Sequence, residues 1–192
     1  NGGGLLNNGG VVSVNNSTFT DNSAYYHGGA IHNNGGAVTV SNSLFSNNSA
    51  SEDGGGWGGA IRNDNGTLTV SNSAFSGNRA SDGGGGGISN TGVALTINSS
   101  TFANNSASAG GSINNSGGLL TINSSTFASN SASNLGGGFG GGIRNYAGAT
   151  VTVSNSTFSA NSASNGGGIF NTGTVTVSGS IFADNIASAE GG

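Results

Sequence analysis

The chain contains no cysteine, no proline, no methionine and no lysine. Without cysteine there is no disulfide framework, no thiolate metal site and no cysteine nucleophile. Without methionine the sequence does not begin at a start codon, so it reads as processed or as a piece of something longer. The basic residues are Arg62, Arg79 and Arg144, and the net charge is -4. That excludes the clustered Lys and Arg of a nucleic-acid footprint. Charged residues make up 5% of the chain, against about 25% in an ordinary globular domain. No apolar run approaches the ~20 residues of a membrane-spanning helix. No signal peptide is visible, and a processed chain would have lost one.

What fills the chain instead is Gly, at 40 of 192 residues, with Ser, Thr and Asn. Composition alone suits a disordered low-complexity segment as well as a folded one. The order of the residues decides for a fold, because seven copies of one unit cover the chain. The aromatic column is Phe19, Phe45, Phe75, Phe102, Phe127, Phe158 and Phe182. Three residues on stands an Asn column, Asn22, Asn48, Asn78, Asn105, Asn130, Asn161 and Asn185. Two further on is Ala24, Ala50, Ala80, Ala107, Ala132, Ala163 and Ala187. A fourth column is Leu5, Ile31, Ile61, Ile88, Ile113, Ile143 and Ile169, followed at two residues by Asn7, Asn33, Asn63, Asn90, Asn115, Asn145 and Asn171. A third Asn column, Asn16, Asn42, Asn72 and Asn155, is interrupted by Ser99, Ser124 and Gly179. Copies recur every 24 to 31 residues, and the length variation falls between the Ala and the next Ile, on one turn of the unit.

Within a copy apolar and polar residues alternate, as in Leu68-Thr69-Val70-Ser71, which is the period of a strand. No stretch carries helical spacing. A lone short strand buries nothing, but stacked copies place like residues ~4.8 Å apart. The expected fold is all-β: one single-stranded parallel β-helix domain over 1-192, about seven rungs of three short strands each, ~34 Å long. The repeats run approximately 2-27, 28-57, 58-84, 85-109, 110-139, 140-165 and 166-192, without caps. Phe and Ile would form the core. The Asn columns would point inward and bond from rung to rung, which keeps a buried amide satisfied. The Gly pair before each Ile supplies positive φ or close backbone approach.

Gly-Gly-Ala-Ile paired with Phe-x-x-Asn, in all seven copies, resembles the repeats of chlamydial-type polymorphic outer-membrane proteins and the pectin-lyase-like β-helix repeats of large secreted bacterial proteins. The resemblance implies right-handed coiling and an extracellular, passenger-like role at the cell surface. It says little about activity, because this fold hosts lyases, adhesins and fibres alike.

The expected function is therefore structural: a segment or subunit of a surface filament, sheath or adhesin, stacked end to end with itself and open to lateral bundling. Gly192 reads into Asn1 in phase with the other junctions, which fits either a head-to-tail polymer or a window of a longer solenoid. No catalytic, metal or cofactor residues are assigned. Of the acids, Asp21 and Asp184 sit in the Phe-x-Asp-Asn turn at opposite ends of the rod, and Asp64 is expected beyond a different bend. Glu52, Asp53 and Asp82 can share the insertion edge with Tyr25, Tyr26, His27 and Trp57, and His32 and Arg62 share an outward column. That edge is the candidate ligand or lateral-contact surface, for a small glycan or cation, against plain polar decoration of exposed turns. Carbohydrate binding or cleavage is the alternative function. Ice binding through the column Thr39, Thr69, Thr96, Thr121, Thr152 and Thr176 is a third. Asn-x-Ser/Thr triplets such as Asn16-Ser17-Thr18 and Asn155-Ser156-Thr157 are expected on inward columns, as by-products of the repeat.

Overall fold

The computed structural model describes residues 1–51, 55–133 and 137–190. The described residues form strands, turns and bends, with no helix. The strands assemble into four parallel sheets of seven strands, each strand pairing with its counterpart one copy away. The chain is thus a β-solenoid of seven stacked coils. In the third coil the strands are Ile61–Asp64, Thr67–Ser71, Ala74–Ser76 and Arg79–Ala80. We call the sheets they belong to the Ile, Thr, Phe and Ala sheets after their most regular columns.

Four strands per turn corrects the expected three. The extra corner lies between Phe and the Asn three residues later. The residue before that Asn is left-handed in every coil: Asp21, Asn47, Gly77, Asn104, Ser129, Ala160 and Asp184 have φ between 53° and 65°. The chain bends there and leaves a strand such as Ser49–Ala50 beyond the corner. Two residues are too few to show alternation, so the fourth strand has no periodic signature. Asp and Asn tolerate this backbone region better than most residues, which is reason enough for Asp21 and Asp184.

The interrupted third Asn column has the same explanation. Asn16, Asn42, Asn72, Ser99, Ser124, Asn155 and Gly179 all have φ between 47° and 56° and are exposed. They turn the corner from the Thr sheet to the Phe sheet and do not point inward. Asn16 and Asn155, which begin the triplets, therefore face outward, while the Ser156 between Asn155 and Thr157 is buried.

Like residues stack. Phe75 pairs in register with Phe45 and Phe102, and Ile88 with Ile61 and Ile113. The seven Phe rings lie 4.6 to 5.0 Å apart and within 8° of parallel. Two inward Val, Leu or Ile columns of the Thr sheet, such as Leu68 and Val70, complete the core with the Ile column. The Gly pair divides its work. Gly58 takes φ +70, while a Cβ on Gly29 would run into the carbonyl of Gly59 on the next rung.

Both complete Asn columns are inward and bonded. Asn33 donates from Nδ2 to Asn63 Oδ1 at 2.7 Å, and Asn63 to Asn90 at 2.7 Å. The second ladder adds bonds to the backbone: Asn78 Nδ2 donates to Asn105 Oδ1 and to Phe45 O, at 2.9 and 3.0 Å. A third polar spine is made of serine. Ser43 N donates to Ser73 Oγ at 3.1 Å, and Ser73 Oγ donates to Ser71 O at 2.7 Å. The same pair of bonds joins Ser100, Ser125 and Ser156. Sequence inspection passed over this column, although Ser17, Ser43, Ser73, Ser100, Ser125, Ser156 and Ser180 run without a gap two residues before each Phe.

Candidate functional site

The insertion turn folds back across the outer face of the Ile sheet as a ledge. Isolated parallel bridges join His27 to Trp57, Gly84 to Ala109, Ala109 to Phe139, and Phe139 to Asn165. Each ledge residue stands five positions before an outward residue of the sheet: His27 and His32, Trp57 and Arg62, Gly84 and Ser89, Ala109 and Asn114, Phe139 and Arg144, Asn165 and Phe170. Because the ledge covers them, His32, Ser89 and Asn114 are buried although they face away from the core. The two aromatic ledge residues that end long Gly-rich insertions each meet an arginine. The Arg62 guanidinium lies 5.5 Å from the Trp57 ring, and that of Arg144 lies 4.8 Å from the Phe139 ring.

One charged cluster forms under the ledge and spans three coils. His32 Nε2 is 2.9 Å from Asp64 Oδ2. Arg62 Nε donates to Asp64 Oδ1 at 2.7 Å, Arg62 Nη1 donates to Ser89 Oγ at 2.7 Å, and Thr91 Oγ1 donates to Asp64 Oδ1 at 2.5 Å. Burial by itself would raise the Asp64 pKa. The hydrogen bonds from His32, Arg62 and Thr91 outweigh it and hold the carboxyl well below the usual carboxylate range. Burial, then the charge of Arg62, pushes His27 below the ordinary imidazole value. His27 and His32 meet edge to face at 5.6 Å, and the Nδ1 atom of each is buried without a partner.

Asp64 corrects the expectation that it lies beyond a different bend. It ends the strand Ile61–Asp64, and period-two alternation puts it on the same outward side as Arg62 while Asn63 points inward. An ionised, fully ligated carboxylate neither gives nor takes a proton near neutrality. The arrangement is that of a clamp between coils.

The sequence-selected edge is only partly assembled. Tyr25 and Tyr26 are exposed and meet edge to face at 4.8 Å. His27 and Trp57 belong to the ledge and its cluster. Asp82 is exposed in the corresponding turn of the next coil. Glu52 and Asp53 lie outside the described residues. Asp64, Ser89 and Thr91 are the members that sequence reasoning missed. Among the described residues no group of three or more His, Asp or Glu is placed to hold a metal ion.

A second cluster surrounds Arg144. Its guanidinium lies 3.9 Å from the Tyr146 ring as well as 4.8 Å from that of Phe139, and Phe139 meets Phe170 at 4.8 Å. Burial lowers the Arg144 pKa.

Residues 16–34 and 42–64 match the model of the Chlamydia polymorphic membrane protein repeat. Each matched segment begins at a left-handed Asn corner, crosses the Phe and Asn columns and ends just past the inward Asn of the Ile sheet. With the stacked coils, this fits a β-helix repeat protein of the polymorphic membrane protein type, a repeat that points to the cell surface or outer membrane. Comparisons with curated proteins and with solved structures found no match.

Proposed function

We propose that the chain is a structural length of a surface-displayed solenoid rod, part of a filament, sheath or adhesin, whose contribution is mechanical persistence and not catalysis. The observation that supports this reading most directly is the pair of Asn ladders, bonded without a gap from Asn7 to Asn171 and from Asn22 to Asn185. Every coil is tied to the next by backbone pairing, by two amide ladders and by a serine spine. Little of this depends on charge, so salt leaves the ladders and the spine intact. A further coil of the same design, continuous in the chain or from another copy, would repeat the same bonds. The match to the polymorphic membrane protein repeat supports surface display.

Electron microscopy of native cell-surface material, with an antibody to this chain, tests the proposal. Labelled rods or fibres with ~4.8 Å layering along the axis are the expected result. Label confined to isolated short particles free in the medium would overturn it. The mass of the intact species in denaturant separates a polymer of short chains from one long chain.

The outer face of the Thr sheet supports a second reading. Thr39, Thr69, Thr96, Thr121, Thr152 and Thr176 lie in register in one outward column. One adjoining outward column is Ser or Asn and lacks methyl groups, and the other mixes Val11, Ala37, Ala94 and Leu119 with Thr67, Thr150 and Thr174, so the face is not a regular Thr array and ice binding is the weaker reading. Measuring thermal hysteresis in dilute solution decides it.

A further inference from the structure

The two arginines of the Ile sheet occupy equivalent positions in their coils but have different partners. Arg62 follows Ile61 and Arg144 follows Ile143. Both are flanked by a ledge aromatic five residues earlier, Trp57 and Phe139. In the third coil the residue three after Ile is Asp64, which takes up the guanidinium of Arg62, with Ser89 and Thr91 completing its bonds. In the sixth coil that position is Tyr146, and the next coil offers Phe170 where Arg62 meets Ser89. Among the described residues no carboxylate or other hydrogen-bond acceptor meets Arg144.

An arginine held by two rings keeps its donors in a fixed plane, which suits bidentate recognition of a carboxylate. The third coil shows what this framework takes when a carboxylate is available. We propose that Arg144, with Phe139, Tyr146 and Phe170, is a binding site for the carboxylate of an acidic sugar. Partly exposed Phe139, Tyr146 and Phe170 offer ring surface for the apolar C–H face of a pyranose, while the guanidinium takes its carboxylate. The net charge of -4 opposes a polyanion at long range, so the match is one uronate residue and not a polyanionic track. This site stands apart from the structural role proposed above and does not depend on it.

The test is an NMR titration of the whole chain with methyl β-glucuronoside, with methyl β-glucoside as the neutral control and acetate and N-acetyl-aspartate amide as carboxylates without a sugar. Saturable shifts at the Arg144 Nε–H and the rings of Phe139 and Tyr146 are expected with the glucuronoside. Arg144→Gln and Tyr146→Asp should each weaken binding by about tenfold or more. The second variant supplies an internal carboxylate as Asp64 does, and it should lose the ligand while Arg144 remains. Arg62→Gln should leave binding unchanged, and circular dichroism checks that each variant keeps its strands. Absence of saturable shifts with the glucuronoside overturns the site. Equal binding of the neutral glucoside overturns the role of Arg144, and equal binding of acetate or the aspartate amide overturns the assignment to a sugar.

Discussion

Asn105 Oδ1 accepts from both nitrogens of Asn78, the backbone amide at 3.0 Å and the side-chain amide at 2.9 Å. Asn105 Nδ2 in turn donates to Phe75 O and to Asn130 Oδ1, each at 3.0 Å. One fully buried side chain thereby uses both acceptor sites and both donors of its amide. No other residue has that combination at that length, which explains why the column admits only Asn.

Asn105→Ala should consequently cost far more than its few lost atoms. It strips partners from Asn78, Phe75 and Asn130 inside the core, at about 1–3 kcal/mol for each buried group left unsatisfied. We expect a total loss of about 3–5 kcal/mol by chemical denaturation. A loss no larger than that of Asn16→Ala, at an exposed corner, would refute the ladder as a source of stability.

Phe102 is fully buried between two parallel neighbours. Phe102→Ala should cost about 3–5 kcal/mol, the usual range for emptying a packed aromatic site. Measured stability within 1 kcal/mol of the parent, on the order of an ordinary surface substitution, would show that the stack does not carry the core.

Two serines give opposite signs. Ser112 is fully buried, and its hydroxyl has no partner. Ala30 and Ala60 occupy the same place in other coils, also fully buried. Ser112→Ala should stabilise the protein by about 1 kcal/mol by removing an unsatisfied polar group. Ser100→Ala should destabilise it by about 1–3 kcal/mol, because Ser73 N loses its partner and Asn98 O keeps only the bond from Asn72 N. Thermal melts of the pair suffice, and like signs would contradict the geometry.

Ala160 is the aliphatic member of a left-handed corner column, at φ 53°, and Gly77 holds the same corner at φ 65°. An L-residue with Cβ costs about 1–2 kcal/mol there. Ala160→Gly should raise stability by up to about 1 kcal/mol after its larger unfolded-state entropy is set against the relief. A decrease would show that the corner is not strained.

The His27–Asp64 cluster makes stability depend on pH on the acid side. Asp64 titrates lower folded than unfolded, so its contribution is present above the unfolded carboxylate pKa and is lost as pH falls below it. His27 is also lowered, so the folded chain binds fewer protons than the unfolded one as pH falls through the ordinary imidazole value, and stability declines there first. Denaturation midpoints should fall from pH 8 to 5 in the parent, and less in His27→Gln. Asp64→Asn should remove the later loss near about pH 4, close to the unfolded carboxylate pKa, and keep or deepen the earlier one, because the Asp64 charge raises the His27 pKa.

The order of residues along the chain was sufficient to show a parallel solenoid of seven coils, its Phe and Ile core and its two inward Asn ladders. Each of these is a gapless column, and a column is what translation by one coil imposes: identical neighbours above and below select identical side chains. The serine spine met the same criterion. Its signal was present, but a small polar residue in a Ser-rich chain does not stand out.

Backbone corners that have no periodic signature, and contacts that are not repeated from coil to coil, were decided by the tertiary structure. The fourth strand is created by a left-handed residue and is too short to alternate. The outward turn of Asn16 and Asn155 follows from backbone dihedrals that Asn adopts but does not announce. The ledge over the Ile sheet brings Trp57 to Arg62 and Phe139 to Arg144, and it joins His32 to Asp64 across 32 positions of sequence. These pairs occur once or twice, so no column records them. They depend on how an insertion folds back, which is set by space and polar satisfaction on the outer face and not by the repeat.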